Sequence, residues 1–276
     1  MSITFGAFAH FEAERLWHGV HLRTSLSKVD RFAAFEDYSS RLITDYLPSH
    51  IHSYFEHLIA KGLKPNTVNH HGAMIGKVFK HAAREEVIRH VPRFTWMTVE
   101  GTARPLYYTR EQLDAMEAYF HDEHPQAYMR HLIIIGYNTG MRRGEMMQIN
   151  RKTLHRDEHG HQWVYLEKTK NGSDRYVPIN VKALSSIRAL WQQSPDYMFA
   201  HDRFYNAWGD MRRRVLGNDK RYTFHTLRHT CATNLANDLN AQTEVVGAVL
   251  GHKCLTTTRK YIKVKPMKLQ EIMGRL

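Results

Sequence analysis

Apolar residues recur at helical spacing through most of this chain. They switch to strict alternation in one short region, Trp163-Val-Tyr-Leu-Glu followed by Arg175-Tyr-Val-Pro-Ile. A chain patterned this way has to bury many helical stripes around one small sheet. Lys170-Asn-Gly-Ser-Asp lies between the two alternating runs and has turn composition, so a hairpin or a three-stranded sheet is predicted there. The expected fold class is mainly α with a small antiparallel β-sheet. At 42% hydrophobic and 24% charged residues, the 276-residue chain has the material for ordinary cores and is not of disordered composition.

Length and punctuation divide the chain in two. Leu47 to Ala60 carries Ile51, Tyr54, Phe55, Leu58 and Ile59 at helical spacing and stops at Lys61-Gly62. Pro65 opens a second helix whose stripe is Val68, Ile75, Val78, Phe79 and Ala82. Arg41, Lys61, Lys64, Lys77, Lys80 and Arg84 fall off these stripes and form either a solvated face or a surface that tracks phosphates. A polar stretch, Thr98-Val-Glu-Gly-Thr-Ala-Arg-Pro105, then precedes Thr109 and Gln112, which have the spacing of a helix capping box. The expected organisation is a helical N-terminal domain over 1–97, a linker over 98–106 and a second domain over 107–276. About 35 residues precede the expected core of the first domain, little for an additional domain ahead of it. The last apolar positions, Leu269, Ile272, Met273 and Leu276, predict a short amphipathic helix that packs on its own domain or on a neighbouring protomer.

Charge narrows the partners. The formal net charge is +12. Residues 1–98 contribute 12 Lys/Arg against 9 Asp/Glu, and residues 106–276 contribute 26 against 17, so most of the excess lies in the second part. So basic a chain points to a polyanion, nucleic acid first. No apolar run approaches the roughly 20 residues of a membrane span, and residues 1–11 lack the pattern of a signal peptide. Cys231 and Cys254 are too few for a disulfide framework or a cysteine zinc site. A reduced cytoplasmic protein at the nucleoid, with no membrane association, is expected.

Four fragments carry chemistry. Thr139-Gly-Met-Arg-Arg-Gly-Glu145 follows the apolar run ending at Gly136, and its Arg142 and Glu145 share a face if a helix starts there. Lys170 sits in the turn between the alternating runs. In His225-Thr-Leu-Arg-His229, His225 and Arg228 are one turn apart, and Leu227 and Cys231 are expected on the opposite, buried face. The spacing of His225 and His229 would suit a metal, but neither the accompanying Glu of a zincin nor a third ligand is evident. Leu250-Gly-His252 is followed nine residues later by Tyr261. Two arginines, two histidines, a lysine and a tyrosine suit a phosphodiester. Arginine forks pair with non-bridging oxygens and stabilise the charge that builds in a pentacoordinate transition state. A tyrosine, weakly acidic at a pKa of about 10, attacks once a base or neighbouring cations take its proton. No nucleotide-binding glycine loop is present, and nothing in the set calls for a cofactor or metal.

In order and internal spacing, these fragments resemble the signature of the tyrosine recombinases, the phage-integrase family, over residues 106–265. Thr139-Gly-Met-Arg142-x-x-Glu145 resembles the first arginine box, and Lys170, eight residues before Pro178, the β-hairpin lysine. Lys168 stands two residues earlier in the same run. His225-x-x-Arg228-His-Thr resembles the second box, and Leu-Gly-His252 with Tyr261 the third box and nucleophile. The resemblance implies that Tyr261 attacks the scissile phosphate to give a 3′-phosphotyrosyl link, and that Arg142 and Arg228 hold the phosphate. It also implies that His225 is the acid/base near the nucleophile, that His252 hydrogen-bonds a phosphate oxygen, and that Lys170 protonates the departing 5′ oxygen. Glu145 would support an arginine. By its place in the chain, the helical 1–97 domain would be the core-type DNA-binding domain, and the 107–276 domain the catalytic one. Many integrases carry a separate arm-site DNA-binding domain, for which the short N-terminal segment leaves little room. Ile-Lys-Val follows Tyr261 where Thr-His-Val is frequent, and Arg143 is an additional cation without an assigned use.

The implied activity is site-specific strand exchange on double-stranded DNA by a phage or mobile-element integrase. A Xer-like resolvase of chromosome or plasmid dimers is the alternative within that chemistry. A type IB topoisomerase, and a catalytically silent DNA-binding protein of the same fold, are the others. Exchange of two duplexes needs four cleavages, which implies a homo-tetramer on DNA built from dimers. Accessory DNA-bending proteins are further possible partners.

Overall fold

The computed structural model describes residues 2–99, 105–167, 174–193, 201–252 and 254–259, and the chain separates into two compact units, Met1–Thr102 and Ala103–Leu276. In the first unit the short helices α1 (Phe5–Phe11) and α2 (Ala13–Leu16) precede α3 (Val20–Ala33), α4 (Pro48–Ala60) and α5 (Pro65–Arg84). Prolines stand at the first position of both α4 and α5, where a missing N–H costs nothing. The stripes anticipated on α4 and α5 are buried at Ile51, Tyr54, Phe55, Leu58, Val68, Ile75, Val78, Phe79 and Ala82. Ile59 is only partly buried at the margin of that core.

Residues ahead of α4 do more than the sequence pattern suggested. Phe5, Phe8, Leu16, Trp17, Val29 and Phe32 from α1–α3 enter the same core. There Phe5, Phe32, Tyr38, Tyr46, Tyr54 and Phe79 meet mostly edge-to-face or tilted, at centroid distances of 4.9–5.6 Å. Their run is crowded with histidine and charge, which hid the apolar stripe. Two of the off-stripe cations are committed within the unit. Arg41 pairs with Asp37 at 2.7 Å, and Lys77 donates to the Leu16 carbonyl and stands over the Trp17 ring. Lys61, Lys64, Lys80 and Arg84 are exposed.

The second unit opens with α6 (Arg110–Tyr119), capped reciprocally by Thr109 and Gln112 at 3.2 and 3.0 Å, as their spacing predicts. Then come α7 (Tyr128–Thr139), the single turn α8 (Arg143–Met146), and strands β1 (Leu154–Arg156), β2 (Gln162–Leu166) and β3 (Arg175–Ile179). The strands form an antiparallel sheet in the order β1-β2-β3, with Val164 opposite Val177 and Leu166 opposite Arg175. Beyond the sheet lie α9 (Val181–Gln193), α10 (His201–Val215), α11 (His225–Thr233), a π-helical turn (Asn234–Asp238), α12 (Thr243–Leu250) and α13 (Leu255–Arg259). The apolar helix α7 is the axis of this unit and packs against α6, α9, α11 and β3. Its core residues Leu132, Ile133 and Ile135 are fully buried. No described helix is long and apolar enough to cross a membrane.

Candidate active site

The site is built where α7, α11 and α12 converge. α7 ends at Gly140, which has φ +63°. A Cβ at this position would lie 2.7 Å from Leu250 Cδ2 and 3.2 Å from Cys231 Sγ, so a left-handed, side-chain-free residue is what allows the approach. Two residues later Arg142 caps α8, and the Glu145 carboxylate reaches back to it. Glu145 accepts from the Arg142 backbone N–H and from Arg142 Nη1, both at 2.7 Å. The ion pair anticipated from the i,i+3 spacing is therefore present, with Glu145 buried and Arg142 partly exposed.

A second arginine, to which the sequence pattern assigned no role, completes this hub. Arg175 Nη2 donates to Glu145 Oε2 at 2.7 Å, and its Nη1 donates to the Val249 carbonyl near the end of α12. The signal was available in the period of two, since Arg175 shares its sheet face with the buried Val177 and Ile179. Arg228 closes the group from α11. It donates through Nη1 to the Gly140 carbonyl at 2.7 Å and through Nη2 to the Leu250 carbonyl, with Nη1 3.9 Å from Glu145 Oε2. Three guanidinium groups surround one carboxylate, an excess of positive charge suited to an anion. Burial alone would raise the Glu145 carboxyl. The charge of Arg175 and hydrogen bonds from Arg142 and Arg175 outweigh it and hold the group below the usual carboxylate range.

Burial on α11 is not divided as the spacing suggested. Arg228 is 2% exposed, as hidden as Leu227, and Thr226, Thr230 and Cys231 are also buried; α7 and α12 both pack against this helix. His225, one turn before Arg228, is exposed at the start of the helix, its ring edge-to-face with His229 at 4.8 Å. Burial pushes the Cys231 thiol up to about 12 against the pull of Arg228 and Arg175, which leaves it unreactive.

α12 stops at Gly251, with φ +65°, and His252 follows. His252 Nδ1 is hydrogen-bonded to the hydroxyl of the fully buried Thr258 at 2.8 Å, which fixes the orientation of the ring. Thr258 lies on α13, three residues before Tyr261 in the sequence. Lys170, Tyr261 and the expected Leu269–Leu276 helix lie outside the described residues. Of the predicted site residues, the structure thus gathers Arg142, Glu145 and Arg228. It sets His252 just beyond the α12 carbonyls that Arg175 and Arg228 grip.

Arg143, the cation with no assigned use, stacks over the rings of Phe204 at 5.2 Å and Tyr205 at 4.7 Å, joining α8 to α10. Among the described residues no group of three His, Cys, Asp or Glu gathers to hold a metal ion. A cavity of about 1140 Å³ lies in the first unit, lined by Lys80, Arg89 and Arg93 among others, and it contains none of the motif residues. The motif geometry, rather than cavity size, marks the site.

Comparison with known proteins identifies the family. The Phage integrase family model matches residues 107–268. The tyrosine recombinase XerC of Leptospira interrogans is 29% identical over 156 residues, 52% of this chain and 49% of the relative, so the match spans about half of that protein's length. XerC of Staphylococcus carnosus is 22% identical over 277 residues, covering 95% of this chain and 92% of the relative. Among solved structures, the Tn1549 transposon integrase in complex with a circular intermediate DNA aligns over 99% of both chains with a TM-score of 0.76 at 18% identity. A lambda integrase dimer bound to a COC′ core site aligns over 96% of this chain and 97% of the other, with a TM-score of 0.74 at 15% identity. The structural likenesses establish the fold. With a family model covering more than half of the chain, this chain belongs to the phage integrase family, the tyrosine recombinases.

Proposed function

We propose that this protein is a site-specific DNA recombinase that cleaves and rejoins double-stranded DNA through a 3′-phosphotyrosyl intermediate. The observation that carries the reading is the buried Glu145 holding Arg142 and Arg175 at 2.7 Å, with Arg228 beside it. Structural ion pairs are ordinarily balanced; here three cations share one carboxylate, and the surplus is offered to a phosphate.

In the proposed reaction Tyr261 Oη attacks the scissile phosphorus and the bond to the 5′ oxygen breaks. The 5′ oxygen leaves with its electron pair and takes a proton from Lys170. His225 accepts the tyrosine proton and returns it when the 5′-hydroxyl of the other strand reverses the step. Arg142 and Arg228 hold the non-bridging oxygens, and His252, oriented by Thr258, hydrogen-bonds one of them. The ester bond is conserved in the covalent link, so rejoining draws on no nucleotide hydrolysis. Two duplexes require four such subunits, a tetramer assembled on DNA from dimers, with DNA-bending proteins as accessory partners. The cytoplasm and nucleoid are where such a substrate is met. Integration or excision of a mobile element is the favoured role. Resolution of dimeric chromosomes or plasmids is the second reading, supported by the XerC relatives.

The test is covalent trapping on nicked and intact DNA fragments from the region flanking the gene, run on denaturing gels for the wild type and Tyr261→Phe. A 3′-linked adduct with the wild type alone is expected. Binding without any adduct, across a genomic fragment library, would identify a silent DNA-binding protein instead. Recombination assays on the trapped sites then separate the roles: two different partner sites indicate integration, and two identical sites resolution.

A further inference from the structure

Arg175 occupies a place where a sheet ordinarily puts an aliphatic side chain. It shares the inner face of β3 with Val177 and Ile179, and its side chain is 8% exposed. Burying a guanidinium there costs desolvation that a well-packed apolar side chain would avoid, so packing alone does not account for it. Both of its hydrogen-bond partners belong to the site. Nη2 holds the Glu145 carboxylate that in turn holds Arg142, and Nη1 holds the Val249 carbonyl at the end of α12. The aliphatic stem passes tightly against the glycine before His252, since a Cβ on Gly251 would lie 2.6 Å from Arg175 Cδ. One side chain therefore touches the segment of the first arginine box and the segment that ends in His252.

We propose that Arg175 is a positioning residue for DNA cleavage: by tying Glu145 to the end of α12, it sets Arg142 and His252 in one frame around the scissile phosphate. The proposal rests on the recombinase reading above and names a residue outside the set that the motifs supply. Removing Arg175 leaves Glu145 free to turn toward Arg228, which stands 3.9 Å away, and Arg142 then loses its fixed orientation. DNA affinity, carried by many phosphate contacts over the whole chain, is expected to change little.

The experiment measures single-turnover formation of the covalent adduct at saturating trapped-site DNA, with DNA affinity measured separately, for the full chain and for Arg175→Met and Arg175→Lys. Arg175→Met is expected to slow adduct formation by about tenfold or more while DNA affinity stays within about threefold, because orientation rather than binding is lost. Arg175→Lys keeps the charge but has a single nitrogen, which cannot serve Glu145 and Val249 together, so it is expected to recover the rate only in part. A third measurement uses a substrate with sulfur in place of the bridging 5′ oxygen. Its thiolate leaves without a proton, so a defect acting through Lys170 would be relieved, whereas one acting through Arg142 and His252 persists.

Wild-type rates in a folded Arg175→Met, relief of its defect by the sulfur substrate, or a defect fully explained by weaker DNA binding would each overturn the proposal. Should Arg175→Met fail to fold, Arg175→Lys decides: slowed cleavage at saturating DNA supports the proposal and a wild-type rate rejects it. Absence of any Tyr261-dependent adduct from the wild type would sink the recombinase reading and this proposal together. An adduct formed equally well by the wild type and the Arg175 variants would sink this proposal alone.

Discussion

At the residue scale, the site turns on one carboxylate whose charge is useful only because it is buried among cations. Glu145→Gln keeps the shape and an oxygen for the Arg142 N–H but removes the charge that holds two guanidinium groups. Loss of a charge-assisted hydrogen bond, about 1.5–3 kcal/mol, corresponds to adduct formation slowed by roughly 10- to 100-fold, to be read in the same trapping assay. Because the folded-state carboxyl is depressed, its contribution to stability is present above the unfolded carboxylate pKa and is lost as pH falls through the folded value. The first unit holds the opposite kind of titrating group. His71 is 2% exposed, hydrogen-bonded to the Tyr54 hydroxyl at 2.9 Å, and burial pulls its pKa down to about 4. The unfolded chain takes up that proton near pH 6.5 and the folded unit does not until about pH 4, so stability falls between those values and levels off below, by about 3 kcal/mol in all. Denaturant melts across that window, compared with His71→Gln, should show a shallower slope in the variant; parallel slopes would mean that His71 is protonated in the fold.

At the scale of elements, the capping signals were legible because they are local. Thr109 with Gln112, and the prolines that open α4 and α5, act within one turn and need no knowledge of the rest of the chain. The paired strands β2 and β3 were equally legible from their alternation. What escaped was contact between elements. Arg175 looked like one more charge on a strand, and Arg228 like a residue on an open helix face, until α7 and α12 closed over α11. Gly140 shows the same dependence, since its backbone angle follows from ending a helix but the need for no side chain comes from Leu250 and Cys231. Gly140→Ala combines a left-handed backbone with a Cβ only 2.7 Å from Leu250 Cδ2. A loss of about 2–4 kcal/mol is expected from these two effects, measured by the urea midpoint. Cleavage should fall with it, because the Gly140 carbonyl is an anchor for Arg228. An unchanged midpoint would show that α12 can move aside.

At the scale of the whole molecule, the net charge of +12 is a statement about association rather than fold. Each phosphate neutralised releases condensed counterions, so the logarithm of DNA affinity should fall linearly with the logarithm of salt concentration. Six to ten phosphate contacts would cost about 10³–10⁵ in affinity between 50 and 200 mM salt. Filter binding or fluorescence anisotropy across that range measures the slope. A flat response would contradict the assignment of the basic excess to DNA phosphates. The second unit is expected to supply the larger share of that slope, since residues 106–276 hold 26 Lys/Arg against 17 Asp/Glu.

The sequence by itself determined the helical stripes of α4 and α5, the position and type of the small sheet, the cap that starts α6 and the ordered motifs that place this chain in its family. Each of these is written within a few residues, by period, by turn chemistry or by spacing. Only the tertiary structure decided that Arg175 joins Glu145 to α12, that Arg228 is buried on the carbonyls of Gly140 and Leu250, and that α1–α3 complete the first core. Those outcomes depend on which distant segments meet, and on how burial strengthens a charge pair or forbids a Cβ, neither of which has a local signature.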